Sequence, residues 1–382
     1  MLSDIEYYFD YAASTPVDPE VIRVMTQSLE EHPYNPHAHY HQSTMVSQQI
    51  DLARERVSEC IHADPDSIIW TSGATESINL ALYGTAKFYQ GFKKHIITST
   101  IEHSATKQVL KQLAKEGFEI SYVSVDHNGR INLDQLRTLV RRDTLLVSVI
   151  AVHNEIGVTQ ALSEIAEIAH AVGAFFHVDA AQAIGKIDIN VEQQGIDLLS
   201  LSAHKCYGPK GVGALYRKKN PLIMLRPLLF GGEQQQRIRP GTLPTHQIVG
   251  MGKAYQLTQL NQKSNHAKSA SNAKALIQGL KQLPHTITIH VDAKYRVNDI
   301  LSFQCHDVDR SALIEFLKPF QISTHSSCIN QQQPRDHVLY ACLSSLQAVN
   351  ESIRIGMGRY TSRDAINGFV AQLNRALSQL TN

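Results

Sequence analysis

The chain has 382 residues, enough for two domains or for one large domain with a smaller lobe attached. Its 36 Lys and Arg residues nearly cancel its 35 Asp and Glu residues. Because nucleic acids and membrane surfaces select for concentrated positive charge, this balance argues against direct nucleic-acid binding and against a membrane surface as a partner.

The first residues and the cysteines indicate a cytoplasmic protein. The segment "MLSDIEYYFDYAAS" lacks the basic and then apolar run of a signal peptide, and the most apolar stretch, "TLLVSVIAVH", is too short to cross a bilayer. The 5 cysteines are odd in number and have no CxxC spacing, which argues against a disulfide framework and a structural zinc site. We therefore expect a soluble protein in a reducing compartment.

Between residues 65 and 220, short apolar runs alternate with amphipathic segments. The runs are "SIIW", "KHIITS", "EISYVSV", "TLLVSVIAV", "AFFHVD", "DLLSLS" and "GALYR". Near-continuous apolar strands separated by helices predict a mostly parallel α/β sheet with helices on both faces. Ligands of such sheets bind at the carboxyl ends of the strands.

After residue 255 the pattern changes to a long polar helix, "QLTQLNQKSNHAKSASNAKALIQGLKQL", followed by shorter strands and helices. The last helix carries one apolar stripe, formed by Ile366, Phe369, Val370, Leu373, Leu377 and Leu380. We predict a second, smaller α+β domain. The predicted boundaries are 16–255 for the large domain, and 1–15 with 256–382 for the small one.

Polar side chains follow the predicted strands at the points where these strands end. In chain order they are Thr75 in the loop "TSGATES", His103, Asn154 with Glu155, Asp179, and the group Ser202, His204 and Lys205. Each has an ordinary structural interpretation, such as an N-capped helix for the glycine loop or a hydrogen-bonded surface histidine for His103. Because they converge on one sheet edge, we interpret them together.

The residue types at this edge match the needs of one cofactor. A glycine loop that opens a helix presents backbone N–H groups to a phosphate. A carboxylate after a buried strand, here Asp179, needs a cationic partner. A desolvated lysine such as Lys205 can act as an amine nucleophile. A lysine, a buried acid, phosphate donors and an aromatic ring to stack on the cofactor are what pyridoxal 5'-phosphate requires.

The same residues stand in motifs that resemble a known family. The motifs are "DYAASTPVDP", "TSGATES", "HIITSTIEHSA", "VHNEIGV", "HVDAAQAIGK", "LSAHKCYGPKGVGALY", "RPGTLPTHQIVGMG" and "SIRIGMGRY", in family order over nearly the whole chain. The chain resembles the class V pyridoxal-phosphate enzymes, and within them the Nif/Isc-type (group I) cysteine desulfurases. The resemblance implies a fold-type I transferase, with a mostly parallel sheet in the large domain and a small α+β domain that carries a catalytic cysteine loop.

The resemblance implies a role for each cofactor-site residue. Lys205 would bond covalently to the cofactor, Asp179 would hold the pyridine nitrogen protonated, and His103 would stack on the ring and transfer protons. Gln182 would bond the ring hydroxyl. The phosphate would be held by the backbone at Ala74 and by Thr75, Ser202 and His204, together with Thr242 reaching across a homodimer to the other subunit's cofactor.

The substrate residues and the sulfur chemistry also follow from the resemblance. Arg354 would clamp the substrate carboxylate, and Asn35 and Asn154 would complete the pocket, with Asn154 also beside the cofactor. Cys328 falls at the persulfide-forming position, in the polar segment "STHSSCINQQQP". The implied reaction converts L-cysteine to L-alanine, leaves a persulfide on Cys328 and passes the sulfur to an acceptor protein for iron–sulfur cluster assembly or thiolation of nucleic acids.

Several departures and alternatives stand beside this interpretation. His325 replaces a glycine of the family pattern before Cys328, and Glu233 and Arg237 stand where glycines are usual. A selenocysteine lyase or another class V enzyme would make Cys328 dispensable, and a cofactor-retaining subunit could act by binding a sulfur carrier. The histidines of "HPYNPHAHYH" lack a carboxylate or cysteine at ligand spacing, so we expect no metal site.

Overall fold

The computed structural model describes residues 5–322 and 337–381, and a seven-stranded sheet lies at its centre. Each apolar run found in the sequence forms one strand, which confirms the predicted α/β class. In chain order the strands are β1 (Ile68–Thr71), β2 (His95–Ser99), β3 (Glu119–Val123), β4 (Thr144–Ile150), β5 (Phe175–Asp179), β6 (Leu198–Ser202) and β7 (Gly213–Arg217). β2, β4 and β6 are buried along their whole length, whereas β3, at one edge, is partly exposed.

The sheet is mostly parallel, as predicted. Its order is β1-β7-β6-β5-β4-β2-β3, and every pair from β6 to β3 is parallel. β7 runs antiparallel to both β1 and β6, so β1 has the same direction as β6. The carboxyl ends of the other six strands therefore lie at one edge of the sheet.

Helices cover both faces of this sheet. Leu110 and Ile69 belong to the apolar cluster on one face, and Ile165 and Trp70 belong to the cluster on the other. The helices of this part are α1 (Pro19–Glu31), α2 (His41–Glu59), α3 (Ala74–Asn79), α4 (Thr85–Tyr89), α5 (Ser104–Lys115), α6 (Leu133–Leu139), α7 (Leu162–His170) and α8 (Thr245–Leu260). A single π turn, Leu80–Gly84, joins α3 to α4.

The second part of the chain is built on a three-stranded antiparallel sheet of order β10-β9-β8. Its strands are β8 (Ile287–Ile289), β9 (Ile300–Cys305) and β10 (Ser352–Gly356). Its helices are α9 (Gln262–Lys281), α10 (Arg310–Phe316), α11 (His337–Leu343), α12 (Leu346–Asn350) and α13 (Arg363–Leu380). The apolar stripe of α13 is buried at Ile366, Phe369, Leu373 and Leu377, as the sequence predicts.

The prediction of one long helix after residue 255 is wrong. The structure has two helices, α8 and α9, with Asn261 between them. The Asn261 side chain donates to the carbonyl oxygen of Leu257 at 2.8 Å, beside the backbone N–H of Asn261 that bonds the same oxygen at 3.1 Å. Asparagine competes with the helix for backbone partners in this way, which explains the interruption.

The small sheet has its own apolar core, and the start of the chain joins it. Phe9 is fully buried and packs against Phe320 and Phe369, with ring centroids 5.8 and 5.4 Å apart. On this observation we propose the domain division expected from the sequence, with residues 1–15 and 256–382 in the small domain. The boundary at 255/256 falls inside α8, so residues 256–260 are the end of a helix that begins in the large domain. In the described residues, no helix is both long and apolar enough to span a bilayer.

Candidate active site

The sequence-predicted residues meet where the parallel strands end. Asp179 ends β5 and Ser202 ends β6, while His103 and Asn154 follow β2 and β4 by four residues each. Ser202 lies opposite Gly213, and Gly213 lies opposite Thr71 at the end of β1. The register brings the glycine loop before α3 beside the end of β6.

This glycine loop and Ser202 form a polar concavity that a phosphate group would fill. A Cβ atom at Gly213 would lie 2.7 Å from the Cα of Gly73, so the two backbones approach too closely for a side chain. The Ser202 hydroxyl is buried and has no hydrogen-bond partner among the described residues. A buried unpaired hydroxyl is costly, and a phosphate oxygen would satisfy it. Ala74 opens α3, with Thr75 exposed beside it.

His204 follows Ser202 by two residues, in the loop after β6. Its Nδ1 lies 3.2 Å from the Ser14 hydroxyl, and burial lowers its pKa from 6.5 to about 4. The ring is therefore neutral at neutral pH and can donate a hydrogen bond to an anion without adding a charge.

Lys205 points its amine into the site from the loop after β6. Its Nζ donates to the carbonyl oxygens of Ala12 and Ala13 at 2.7 and 2.8 Å. Burial, then the charges of Lys186 and Arg354, lower its pKa from 10.5 to about 8, against Asp10 and Asp179, which raise it. An appreciable fraction of Lys205 is therefore an uncharged amine at neutral pH, which is the nucleophilic form.

Asp179 and His103 attract each other electrostatically. Asp179 is only 2% exposed, and its Oδ1 accepts from the Ala181 N–H at 3.0 Å. Burial raises the pKa of Asp179, and His103 and Lys205 oppose this rise. A protonated pyridine nitrogen is the kind of cationic partner that would hold such a buried carboxylate ionised.

The tautomer of His103 follows from its place at the start of α5. Its Nδ1 accepts from the Ala105 N–H at 3.1 Å, so the ring proton of the neutral form is on Nε2. Desolvation lowers the pKa of His103, against the attraction of Asp179. The ring is therefore a neutral group with one N–H available for chemistry.

Gln182 is held at both ends of its amide. Its Nε2 donates to the Ala12 carbonyl oxygen at 2.6 Å, and its Oε1 accepts from the Nζ of Lys186 at 3.1 Å. The side chain is buried, with 2% of its surface exposed. An amide fixed in this way presents N–H donors, which suits the ring hydroxyl of the expected cofactor.

Arg354 brings a buried guanidinium group from the small sheet to the same site. Arg354 lies in β10 and is only 2% exposed. Its Nη2 lies 2.5 Å from Asp10 Oδ1, and its Nη1 donates to the Asn154 carbonyl oxygen at 3.1 Å. Arginine is the residue best suited to a carboxylate, because its planar fork binds two oxygens at once.

Two predicted residues are not joined to this group. Asn35 and Thr242 are exposed, and Asn35 closes a local turn in which its Oδ1 accepts from the His37 N–H at 3.0 Å. Cys328 lies outside the described residues, so its place in the site stays a prediction. The described chain holds no cluster of three or more His, Cys, Asp or Glu side chains at metal-binding distance.

The structure adds three residues that the sequence did not single out. Asp10 pairs with Arg354, Lys186 bonds Gln182, and Glu102 is fully buried beside His103. Glu102 had a signal in the sequence, a carboxylate next to the candidate histidine. Lys186 follows Gln182 by four residues, but nothing in the sequence shows that the segment folds back.

Comparisons with known proteins agree with this site. Residues 7–369 match the model of the family described as aminotransferase class-V. A cysteine desulfurase IscS of Vibrio vulnificus is 40% identical over 376 residues, which cover 98% of this chain and 93% of that protein. Among solved structures, a NifS-like protein matches with a TM-score of 0.92 and 32% identity, over 98% of this chain and 100% of the other.

A second solved structure, described as SspA in complex with cysteine, has a TM-score of 0.80 and 31% identity over 93% of this chain and 100% of the other. The family match covers well over half of the chain, and the identities extend over nearly all of it. The chain therefore belongs to the class V aminotransferase family and, within it, to the pyridoxal-phosphate-dependent cysteine desulfurases.

Proposed function

We propose that this enzyme converts L-cysteine to L-alanine and takes up the substrate sulfur on Cys328 as a persulfide. The observation that carries the proposal is a buried amine, Lys205, that is partly uncharged and stands at one sheet edge with Asp179, His103 and Arg354. SspA, a structural relative, was solved in complex with cysteine, which supports the choice of substrate.

Pyridoxal phosphate fits the residues at the strand ends. The Ser202 hydroxyl, the backbone at Ala74, Thr75 and His204 would hold the phosphate, and Gln182 would donate to the ring hydroxyl. When bound, the cofactor withdraws electrons from the amino acid, which makes the bonds at the α-carbon and the β-carbon labile. Asp179 would strengthen this withdrawal by keeping the ring nitrogen protonated.

The side chains around the substrate would divide the work between holding and proton transfer. Arg354 would bind the carboxylate, with Asn154 beside it, and would hold the α-carbon near the amine of Lys205. Lys205 Nζ, uncharged in part, would accept the α-proton and return a proton to carbon. His103 would carry a proton on Nε2.

The sulfur step balances without an external oxidant. The Cys328 thiolate forms a bond to the substrate sulfur, and the bond between that sulfur and its β-carbon breaks. The electron pair of the broken bond stays with the carbon skeleton, which takes up protons and leaves as alanine. The thiolate and the substrate sulfur remain joined as the persulfide.

A homodimer, an acceptor protein and a cytoplasmic location are further parts of the proposal. Phe230 is 93% exposed and Leu229 is 52% exposed, in the same loop as the exposed Thr242. An apolar loop tip beside Thr242 suits a second subunit, whose cofactor phosphate Thr242 would reach. The described cysteines are free, which suits a reducing compartment. The sulfur would pass to an acceptor for iron–sulfur assembly or nucleic-acid thiolation.

Substitution of the two proposed reactive residues tests the function. We expect Cys328→Ala to keep the yellow colour of the bound cofactor but to release no alanine from cysteine, and Lys205→Ala to lose covalent attachment of the cofactor. The measurements are alanine release, and absorption before and after borohydride reduction. Full activity of Cys328→Ala would contradict the persulfide mechanism, and covalent cofactor in Lys205→Ala would contradict the site.

A further inference from the structure

A second lysine, Lys186, stands behind the proposed cofactor site. It follows Gly185 in the segment after β5, where the backbone of Gly185 has a φ of +77° and a Cβ atom would lie 2.5 Å from the Thr258 side chain. The turn therefore requires glycine, and it directs the next residue into a cavity of about 40 Å³ between the two sheets. Lys186 and Lys205 both line this cavity.

The ammonium group of Lys186 helps to fix the orientation of Gln182. An ammonium group can only donate, so the Gln182 atom 3.1 Å from Lys186 Nζ must be the oxygen. The amide nitrogen is then forced to the other side, where it donates to the Ala12 carbonyl oxygen at 2.6 Å. Lys186 and the Ala12 carbonyl oxygen therefore fix the same orientation of the amide from its two ends.

The same carbonyl oxygen connects Gln182 to Lys205. The Ala12 oxygen accepts from Gln182 Nε2 at 2.6 Å and from Lys205 Nζ at 2.7 Å. A continuous chain of hydrogen bonds therefore runs from Lys186 through Gln182 and Ala12 to Lys205. Two cations at the ends of so short a chain repel each other. As the pH rises, the lysine whose charged form is less stabilised by its surroundings loses its proton first.

Asp299, on the same cavity, offers Lys186 a counter-charge. Burial lowers the pKa of Lys186, and the attraction of Asp299 opposes this fall. Burial raises the pKa of Asp299, and Lys186 and a hydrogen bond from the Ser269 hydroxyl oppose that rise. Lys205 is acted on by charges of both signs, which largely oppose each other: Arg354 lowers its pKa, whereas Asp10 and Asp179 raise it. His103 and His204, which also interact with Lys205, are neutral at neutral pH.

We propose that Lys186 is a positioning residue whose ammonium group helps to hold the Gln182 amide toward the cofactor site and increases the uncharged fraction of the Lys205 amine. The inference deepens the proposed function and rests on the role given there to Lys205. Lys186 itself contacts neither substrate nor cofactor in this scheme; it acts through Gln182 and through its charge.

Competitive labelling of the cofactor-free protein tests the proposal. Acetic anhydride acylates only uncharged amines, so the labelling of Lys205, followed by mass spectrometry from about pH 6 to pH 10, gives the midpoint at which this amine loses its proton. We expect a wild-type midpoint near pH 8, the value given by its pKa. Lys186→Met should move it upward by about one pH unit, and labelling of Lys205 at neutral pH should fall several-fold.

Two further variants give the controls. Lys268→Met removes an exposed lysine that lines the same cavity, and the midpoint should stay where it is. Lys186→Arg keeps the charge and the donors and should restore the wild-type midpoint. An unchanged midpoint in folded Lys186→Met, or an equal shift in Lys186→Arg, would overturn the proposal. If Lys186→Met does not fold, Lys186→Gln, which is neutral but polar, carries the same prediction.

The assay separates this inference from the proposed function. It uses neither cofactor nor cysteine, so a wild-type protein that releases no alanine would refute the desulfurase proposal and leave the labelling result intact. Conversely, if the enzyme releases alanine but the midpoint of Lys205 labelling is the same in wild type and in Lys186→Met, only the inference is refuted.

Discussion

His103 caps a helix in this structure and is proposed to transfer protons, and two substitutions separate these two functions. Its Nδ1 caps α5 by accepting from the Ala105 N–H at 3.1 Å, with φ −61° and ψ 152°, the extended backbone of an N-cap residue. Its Nε2–H is left for the proposed proton transfers. Asparagine is a good N-cap but has no imidazole, and alanine has neither property.

The expected losses of stability and of activity follow from these two functions. Loss of an N-cap costs about 1 kcal/mol, so the free energy of unfolding should be lower for His103→Ala than for His103→Asn by that amount. His103→Ala should therefore unfold at a lower urea concentration. Both variants lose a general acid–base group, which contributes roughly 10²- to 10⁴-fold to a rate, and alanine release should fall within that range in both. We therefore expect equal losses of activity and unequal losses of stability.

The assays are urea unfolding of the cofactor-free protein and alanine release under saturating cysteine. If His103→Asn kept the wild-type rate, the imidazole would have no part in the chemistry. If the two variants were equally stable, the hydrogen bond to Ala105 would not cap the helix. Because the pKa of His103 is lowered, ionisation of this ring should not reduce the wild-type rate between about pH 8 and pH 6.5.

Two other predictions concern stability. Gln235 bonds both the N–H and the carbonyl oxygen of Trp70 on edge strand β1, at 2.6 and 2.9 Å, so Gln235→Ala should lower the free energy of unfolding by about 2 kcal/mol in urea. The matched control is Gln236→Ala, which has the same left-handed backbone but only an exposed bond to Arg217; equal losses would refute the role of Gln235. Burial raises the pKa of Glu102 from 4.5 to about 8, so the folded chain keeps a proton that the unfolded chain releases, and stability falls as pH rises through this window. Glu102→Gln should remove a slope of roughly 1.4 kcal/mol per pH unit there, and an unchanged slope would refute the assignment.

Much of the fold could be predicted because the strands are buried on both faces. A strand such as β4, apolar and buried throughout, is visible in the sequence as an uninterrupted run. Direction is not visible in such a run, and so the antiparallel course of β7 was not predicted. The break at Asn261 was missed because it depends on one side-chain hydrogen bond.

The site could be predicted where its residues stand directly at strand ends. Asp179 and Ser202 are the last residues of β5 and β6, and Lys205 follows three residues later, so parallel topology alone brings them together. Asp10 is different, because it meets Arg354 across 344 positions of the chain and lies in no regular strand. Lys186 likewise depends on a glycine turn whose direction the sequence does not give.

The segment from Tyr8 to Thr15 holds the two halves of the site in register. At one end Asp10 pairs with Gly356 as an extra bridge on β10, the strand that carries Arg354. At the other end the carbonyl oxygens of Ala12 and Ala13 accept from Lys205, and Thr15 N–H donates to the His204 carbonyl oxygen at 2.9 Å.

Because only a few residues separate these anchors, the small sheet cannot shift far without pulling on the carbonyl groups that hold Lys205. The group proposed to bind the substrate carboxylate and the amine proposed to act on its α-carbon are thus tied to one short length of backbone. That connection requires the start of the chain to pack with its end, as Phe9 does against Phe369. It also makes residues 8–15 part of the proposed active site rather than an appendage to it.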